Sequence, residues 1–243
     1  MFPLIEIFPG AEVIASDLSL GLLRELRGWR EDHYPDHDCL SLLQLDAADT
    51  VFADEQIDLL TGAHVLHHLA DLRRAFGEFA RILRPGALAV FWEPFESGSQ
   101  IVSLIMQLLM AHDQSAPRGE RIAPEILAGF GEFLFDLRRR RGSSKSQDQL
   151  DQIDDKGIFT PTQLRGLLDG SGLELEAIRQ VYAARGFIST MVDHELRRRL
   201  HGLQALPSWA RALVLDVEDQ FSQELASEIL SSAAIVLRKT TRA

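Results

Sequence analysis

Three apolar runs near the start of the chain each end on a side chain that can do chemistry. AEVIASD closes on Asp17, DLLTGAH on His64, and LAVFWEP on Glu93 and Pro94. A further run, residues 40–45, ends at Asp46. Apolar strands with polar groups at their carboxyl ends, separated by helices, are how an open α/β sheet presents a site for a nucleotide-like ligand. Between the second and third runs, His64-Val65-Leu66-His67-His68 places three imidazoles in five residues. Such spacing can converge on zinc. The inverted zinc-protease pattern, however, requires glutamate directly before its second histidine, and here that place holds His67. No metal is expected. His67 or His68 is a candidate general base, because imidazole titrates close to working pH; packing or helix capping is the alternative for both. Glu93, ending its strand, is read either as a substrate contact or as a structural carboxylate.

These side chains need elements to carry them. Strands are expected over residues 12–16, 40–45, 57–61, 87–92, 173–182 and 233–238. The run 87–92 is apolar throughout, as a strand buried on both faces should be. Helices are expected over 18–28, 72–83, 101–111, 124–139, 160–169, 189–204 and 207–225. The segment 72–83 has Leu72, Ala75, Phe76, Phe79, Ala80 and Leu83 on one face and Arg73, Arg74, Glu78 and Arg81 on the other. Thr160-Pro161-Thr162-Gln163 reads as a capping box with proline at the first helical position. Residues 142–155 form a polar linker, and residues 4–8 are a helix tail or short strand closed by Pro9-Gly10.

Composition limits the function. The 243 residues suit one α/β domain with elaborations. With 25 basic and 36 acidic residues the net charge is −11, which disfavours nucleic acid or membrane as the main partner. The arginine clusters at 138–141 and 197–199 lie in helix-like segments and read as solvated faces. The single Cys39 cannot form an intramolecular disulfide and reads as a buried or incidental thiol. The apolar start lacks a basic region and a cleavage site, and residues 101–110 are too short to span a bilayer, so a cytoplasmic location is the expectation.

Four stretches, FPGAEVIASDLS (8–19), LQLDAADTVFADEQIDLL (43–60), AHVLHHLADLRRAFGEFARILRPGALAVFWEP (63–94) and IFTPTQLRGLLDGSGLELEAI (158–178), together cover about a third of the chain. In this order and spacing the sequence resembles the class I S-adenosylmethionine-dependent methyltransferases, in particular the small-molecule "type 11" group. The resemblance implies a Rossmann-like, mostly parallel sheet with a helical insertion after the fifth strand. It implies one domain, with residues 1–94 as cofactor-binding half, 95–155 as helical lid and 156–243 completing the sheet. It also implies S-adenosyl-L-methionine as cofactor and a small, hydrophobic or other, methyl acceptor. By position, Asp17 with Leu18 beside it matches the acidic residue that accepts both ribose hydroxyls, its alternative being the N-cap of the next helix. Asp46 and Ala47 match the adenine contact, the alternative being a surface-turn aspartate. Gly62, Ala63 and His64 match the turn beside the cofactor's methionine part. The helices of 101–139 would cover the acceptor, although their apolar side equally suits packing against the sheet.

One departure is large. Relatives carry a first strand and a glycine-rich GxGxG loop, and no such segment precedes Asp17 here. The expectation is a chain whose start was lost. A central strand of about five apolar side chains at roughly 1.5–3 kcal/mol each is worth on the order of 10 kcal/mol, comparable with a domain's whole stability. Residues 2–8 sliding into the vacant slot is the alternative. A non-catalytic methyltransferase-like binding subunit, or an inactive fragment, stands beside the enzyme reading. A nicotinamide-dependent oxidoreductase fits poorly, since it also requires the glycine loop.

Overall fold

The computed structural model describes residues 6–34, 40–141, 154–180, 186–199 and 205–241. Cys39, residues 2–5 and most of the 142–155 linker lie outside them, while residues 6 and 7 are helical. The class is α/β, and its strands fall into two sheets. In the smaller, β1 (Val13–Asp17) runs parallel to β2 (Leu40–Gln44), with Val13 opposite Leu40 and Asp17 opposite Gln44. In the larger, the order is β3-β4-β6-β5, built from β3 (Ile57–Ala63), β4 (Leu83–Pro94), β5 (Leu173–Gln180) and β6 (Ser232–Lys239). β3 and β4 are parallel, whereas β6 runs antiparallel to both of its neighbours, so the sheet is mixed rather than mostly parallel. Among the described residues, no strand pairs with the outer edge of β3, or with the edge of β1 away from β2. That break falls where the expected first strand would lie. Leu59 of β3 is exposed, as are Leu18 and Leu20 just after β1.

Helix α1 (Leu20–His33) follows β1 and buries Leu23. Its N-cap is Ser19, whose hydroxyl accepts from the Leu22 amide at 3.3 Å. Helix α2 (Leu72–Ile82) begins at Asp71, whose carboxylate accepts from the Arg74 amide. It buries the apolar stripe read from the sequence, and Phe79 stacks on Phe91 of β4 with ring centroids 5.3 Å apart. Burial of Phe76, Phe79 and Phe91, each worth roughly 1.5–3 kcal/mol, fixes α2 on the sheet. β2 is fastened to the same helix through its following loop. Glu78 accepts from both the amide and the hydroxyl of Thr50, and Arg81 donates to Phe52 O. The Arg81 guanidinium on Glu78, and then the Thr50 donors, hold the Glu78 carboxyl down at about 2.

A second core lies between helices beyond the sheet. α3 (Glu96–Asp113), α4 (Pro124–Arg140), α6 (Phe187–Arg199) and α7 (Ser208–Glu218) converge on Ile105, Leu109, Ile126, Phe130, Val192 and Val214. The apolar stripe of α3 and α4 is therefore mostly spent on helix packing, while Leu104 and Leu108 remain exposed. α5 (Pro161–Leu168) carries both halves of the capping box at Thr160 and Gln163. The helix expected over 207–225 is broken after Glu218. A new helix, α8 (Gln223–Glu228), starts at Ser222, whose hydroxyl takes the Leu225 amide and gives the chain a local alternative to continuing.

Candidate active site

Asp17 ends β1 opposite Gln44 of the parallel strand β2, and Asp46 follows two residues after Gln44, so both lie toward the same end of the small sheet. Asp17 is not the helix cap. Its Oδ1 accepts from the Ser19 amide at 2.7 Å in a two-residue turn, and Ser19 does the capping. Gln44 Nε2 donates to Leu18 O at 2.9 Å, tying the end of β2 to the turn after β1. Asp46 makes the same kind of turn, its Oδ1 accepting from the Ala48 amide at 2.8 Å, and it is exposed. Ala47 packs against the sheet core.

Gly62, Ala63 and His64 end β3 beside Phe91 and Trp92 of β4. A Cβ at Gly62 would lie 2.8 Å from Phe91 Cδ1, so a packing contact already demands glycine there. His64 has φ +55°, in the left-handed region that few non-glycine residues occupy, and its amide donates to Trp92 O at 2.9 Å. The chain then turns sharply into a short 3-10 segment, Leu66–His68.

What holds that turn is Glu93. It is fully buried at the end of β4. Oε1 accepts from the amides of Val65 (2.9 Å) and Leu66 (2.8 Å), and Oε2 from the His67 amide (3.3 Å) and His67 Nδ1 (2.6 Å). Of the two roles left open for Glu93, the structural one accounts for every one of these contacts. A carboxylate, an acceptor at both oxygens, suits four converging donors.

His67 is 5% exposed, and its other nitrogen, Nε2, faces Asp155 Oδ1 at 3.5 Å. Burial alone pulls the imidazole down, but Asp155 and Glu93 on its two sides outweigh this, so it titrates above the ordinary histidine value. His68 is half exposed, with Nδ1 3.0 Å from Asp154 O and 3.5 Å from Asp155 Oδ1. Asp155 Oδ2 contacts the Arg140 guanidinium at the end of α4. His67, then burial in opposition, then Arg140, leave the Asp155 carboxyl at about 2. The backbone closes the same junction, with the amides of Lys156 and Gly157 donating to His67 O at 2.7 and 3.2 Å. Donor atoms of His67, His68 and Asp155 lie within 4.8 Å of one another. The positive charge at that point is already supplied by Arg140, and the free nitrogen of His67 is already engaged, so no ion is assigned.

Above this junction opens a pocket of about 410 Å³. Its floor is His64, His67, His68 and Pro94 at the strand ends. Its walls come from α4 (Phe133, Leu137, Arg140), α6 (Met191, His194, Glu195) and Ser231. The Ser231 hydroxyl is buried there without a hydrogen-bond partner. Sequence reasoning placed His64, His67 and His68 here but missed Asp155 and Arg140. The first fell in a polar linker and the second in an arginine run that reads as a solvated face, so no local signal marked either. Arg141 of that run pairs with Glu96, and Arg139 lies over the Phe135 ring. No helix among the described residues is long and apolar enough to cross a membrane.

The sequence profile described as "Methyltransferase domain" matches residues 3–91. Malonyl-acyl-carrier-protein O-methyltransferase of Methylococcus capsulatus is 38% identical over 88 residues, a match spanning 36% of this chain and 30% of that protein's length. Among solved structures, a Haloferax volcanii protein provisionally named a methyltransferase, in complex with the Trm112 methyltransferase activator, superposes with a TM-score of 0.56 at 14% identity. That superposition covers 100% of this chain and 77% of the other. A Galdieria sulphuraria protein provisionally named a sarcosine dimethylglycine methyltransferase gives 0.55 at 14% identity over 98% and 73%. Phosphoethanolamine N-methyltransferase 2 of Haemonchus contortus, solved with S-adenosyl-L-methionine, gives 0.52 at 11% identity over 99% and 46%. Residues 3–91 thus match a methyltransferase-domain profile, and the fold of the described residues is similar to that of these solved structures.

Proposed function

We propose that the chain transfers a methyl group from S-adenosyl-L-methionine to a small molecule held in the pocket above the β3–β4 carboxyl ends. The observation that carries this reading is the placement of the pocket, whose floor includes the 64–68 turn, which lies within the stretch that matches the methyltransferase profile. Asp17 with Leu18, Asp46 with Ala47, and Gly62 to His64 are the residues we assign to the cofactor. Carboxylates at two neighbouring strand ends fit a nucleoside, because a carboxylate only accepts and a ribose diol offers two donors. The cofactor supplies an electrophilic methyl on a sulfonium, so the protein's task is alignment and exclusion of water. His67, engaged on both ring nitrogens, orients the floor and is a poor base. His68 remains the candidate if the acceptor requires deprotonation. The 243 residues are read as one methyltransferase-like domain, with β5 and β6 completing the sheet begun by β3 and β4.

A second reading, a methyltransferase-like subunit without catalysis, is favoured by the unpaired edges of β1 and β3 among the described residues. Calorimetric titration with S-adenosyl-L-methionine separates the two. The enzyme reading expects saturable binding that weakens on the order of 100-fold in Asp17→Ala, the equivalent of two charge-assisted hydrogen bonds at about 1.5 kcal/mol each. No binding by the parent chain favours the second reading, and equal binding by Asp17→Ala removes Asp17 from the site.

A further inference from the structure

Four charged or ionisable side chains form an unbroken line across the boundary between sheet and helices. Glu93 belongs to β4, His67 to the turn after β3, Asp155 to the segment entering α5, and Arg140 to the last turn of α4. Their order alternates in sign when His67 carries its second proton, and each inner member touches both neighbours. The four come from distant parts of the sequence, and their side chains are at most 16% exposed. We propose that this line is a latch, in which Asp155 is the positioning residue that holds the His67 turn against helix α4 and thereby shapes the pocket floor for the acceptor. The proposal rests on reading the pocket as the acceptor site.

The chemistry makes the latch dependent on pH. With both N–H groups present, His67 donates to Glu93 Oε2 on one side and faces Asp155 Oδ1 on the other. Without the second proton, two carboxylates confront one neutral ring, and Asp155 keeps the Arg140 guanidinium and the neighbouring His68 ring. Other ionisable groups face the junction. His68 and His64 come from the turn itself, Asp136 from α4, and His194 and Glu195 from α6. The signs follow. His67 titrates above 6.5, so its contribution is complete below pH 6.5 and is lost as pH rises through its folded value. Asp155 sits at about 2 against an ordinary 3.8, so its contribution is complete above pH 3.8 and is lost as pH falls toward 2. The latch is closed between those limits.

The test follows His67 by NMR titration of its ring carbons, and α4 by amide hydrogen exchange, in the full chain and in Asp155→Asn, Arg140→Met, Arg140→Lys and His67→Gln. Expected for Asp155→Asn is a downward shift of the His67 titration and exchange of the 133–140 amides faster by about tenfold at pH 6. Arg140→Met gives the same acceleration, and Arg140→Lys restores most of the protection because the charge is kept. In the parent chain that protection falls as pH rises through the His67 titration, while in His67→Gln it is low at every pH. The latch is overturned by an unmoved His67 titration in Asp155→Asn, or by α4 exchange that is the same in all variants. None of these readouts requires cofactor, so a failed S-adenosyl-L-methionine titration overturns the proposed activity and leaves the latch standing.

Discussion

Replacing Glu93 exposes how the site is held. The side chain is fully buried and accepts from three consecutive amides and one imidazole, so Glu93→Ala leaves Val65, Leu66 and His67 donors facing a cavity. An orphaned buried donor costs about 1–3 kcal/mol, and breaking a buried charged pair costs about 3–5 kcal/mol. These overlap rather than add, so the expected loss is about 4 kcal/mol, against a total stability of about 5–15 kcal/mol for a domain. Glu93→Gln keeps the shape and one acceptor oxygen. Its amide group meets a donor on the other side, and the expected loss is about 2 kcal/mol, the difference between a charged and a neutral acceptor. Equilibrium urea unfolding at pH 6, followed by fluorescence, gives both values from the midpoint shift at unchanged slope. If both variants unfold within 0.5 kcal/mol of the parent, roughly the scatter of surface substitutions, Glu93 does not organise the turn and the structural account of the site is wrong.

Other substitutions probe the frame around it. Gly98, in the first turn of α3, has room for no Cβ, since one would lie 2.5 Å from Ser231 Cα and 2.9 Å from Leu230 O. Gly98→Ala must therefore push the helix off the 230–231 segment that lines the pocket, and a loss of about 2–3 kcal/mol in urea unfolding is expected; an unchanged midpoint contradicts that packing. Thr160→Ala removes the hydroxyl that takes the Gln163 amide at 3.2 Å and opens the capping box. It is expected to cost about 1 kcal/mol in the same assay, most of it absent if Ser or Asp is substituted instead.

The legible part of this chain was the part with local causes. The stripe of α2 and the capping box at Thr160 each depend on residues within a few positions of one another, and both stand in the structure as read. The uninterrupted apolar run of β4 placed that strand next to its two neighbours. The 207–225 stretch misled because Ser222 competes for the backbone only where the chain has reason to turn. The lid stripe was legible as apolar, but its partner was not. Ile105, Ile126 and Phe130 meet α6 and α7, elements more than fifty residues downstream.

The sequence by itself determined the α/β class, the positions of Asp17, Asp46 and His64 at or just past strand ends, and the likeness to methyltransferases over residues 3–91. Periodicity, turn chemistry and motif spacing are properties of short segments, and they survive in one dimension. Only the tertiary structure decided that Glu93 faces inward to hold the 65–67 amides, that His67 is bound on both nitrogens, and that Asp155 and Arg140 belong to the site at all. A buried ionisable group acquires its role from the partners that replace water around it, and here those partners lie up to about ninety residues away in the chain.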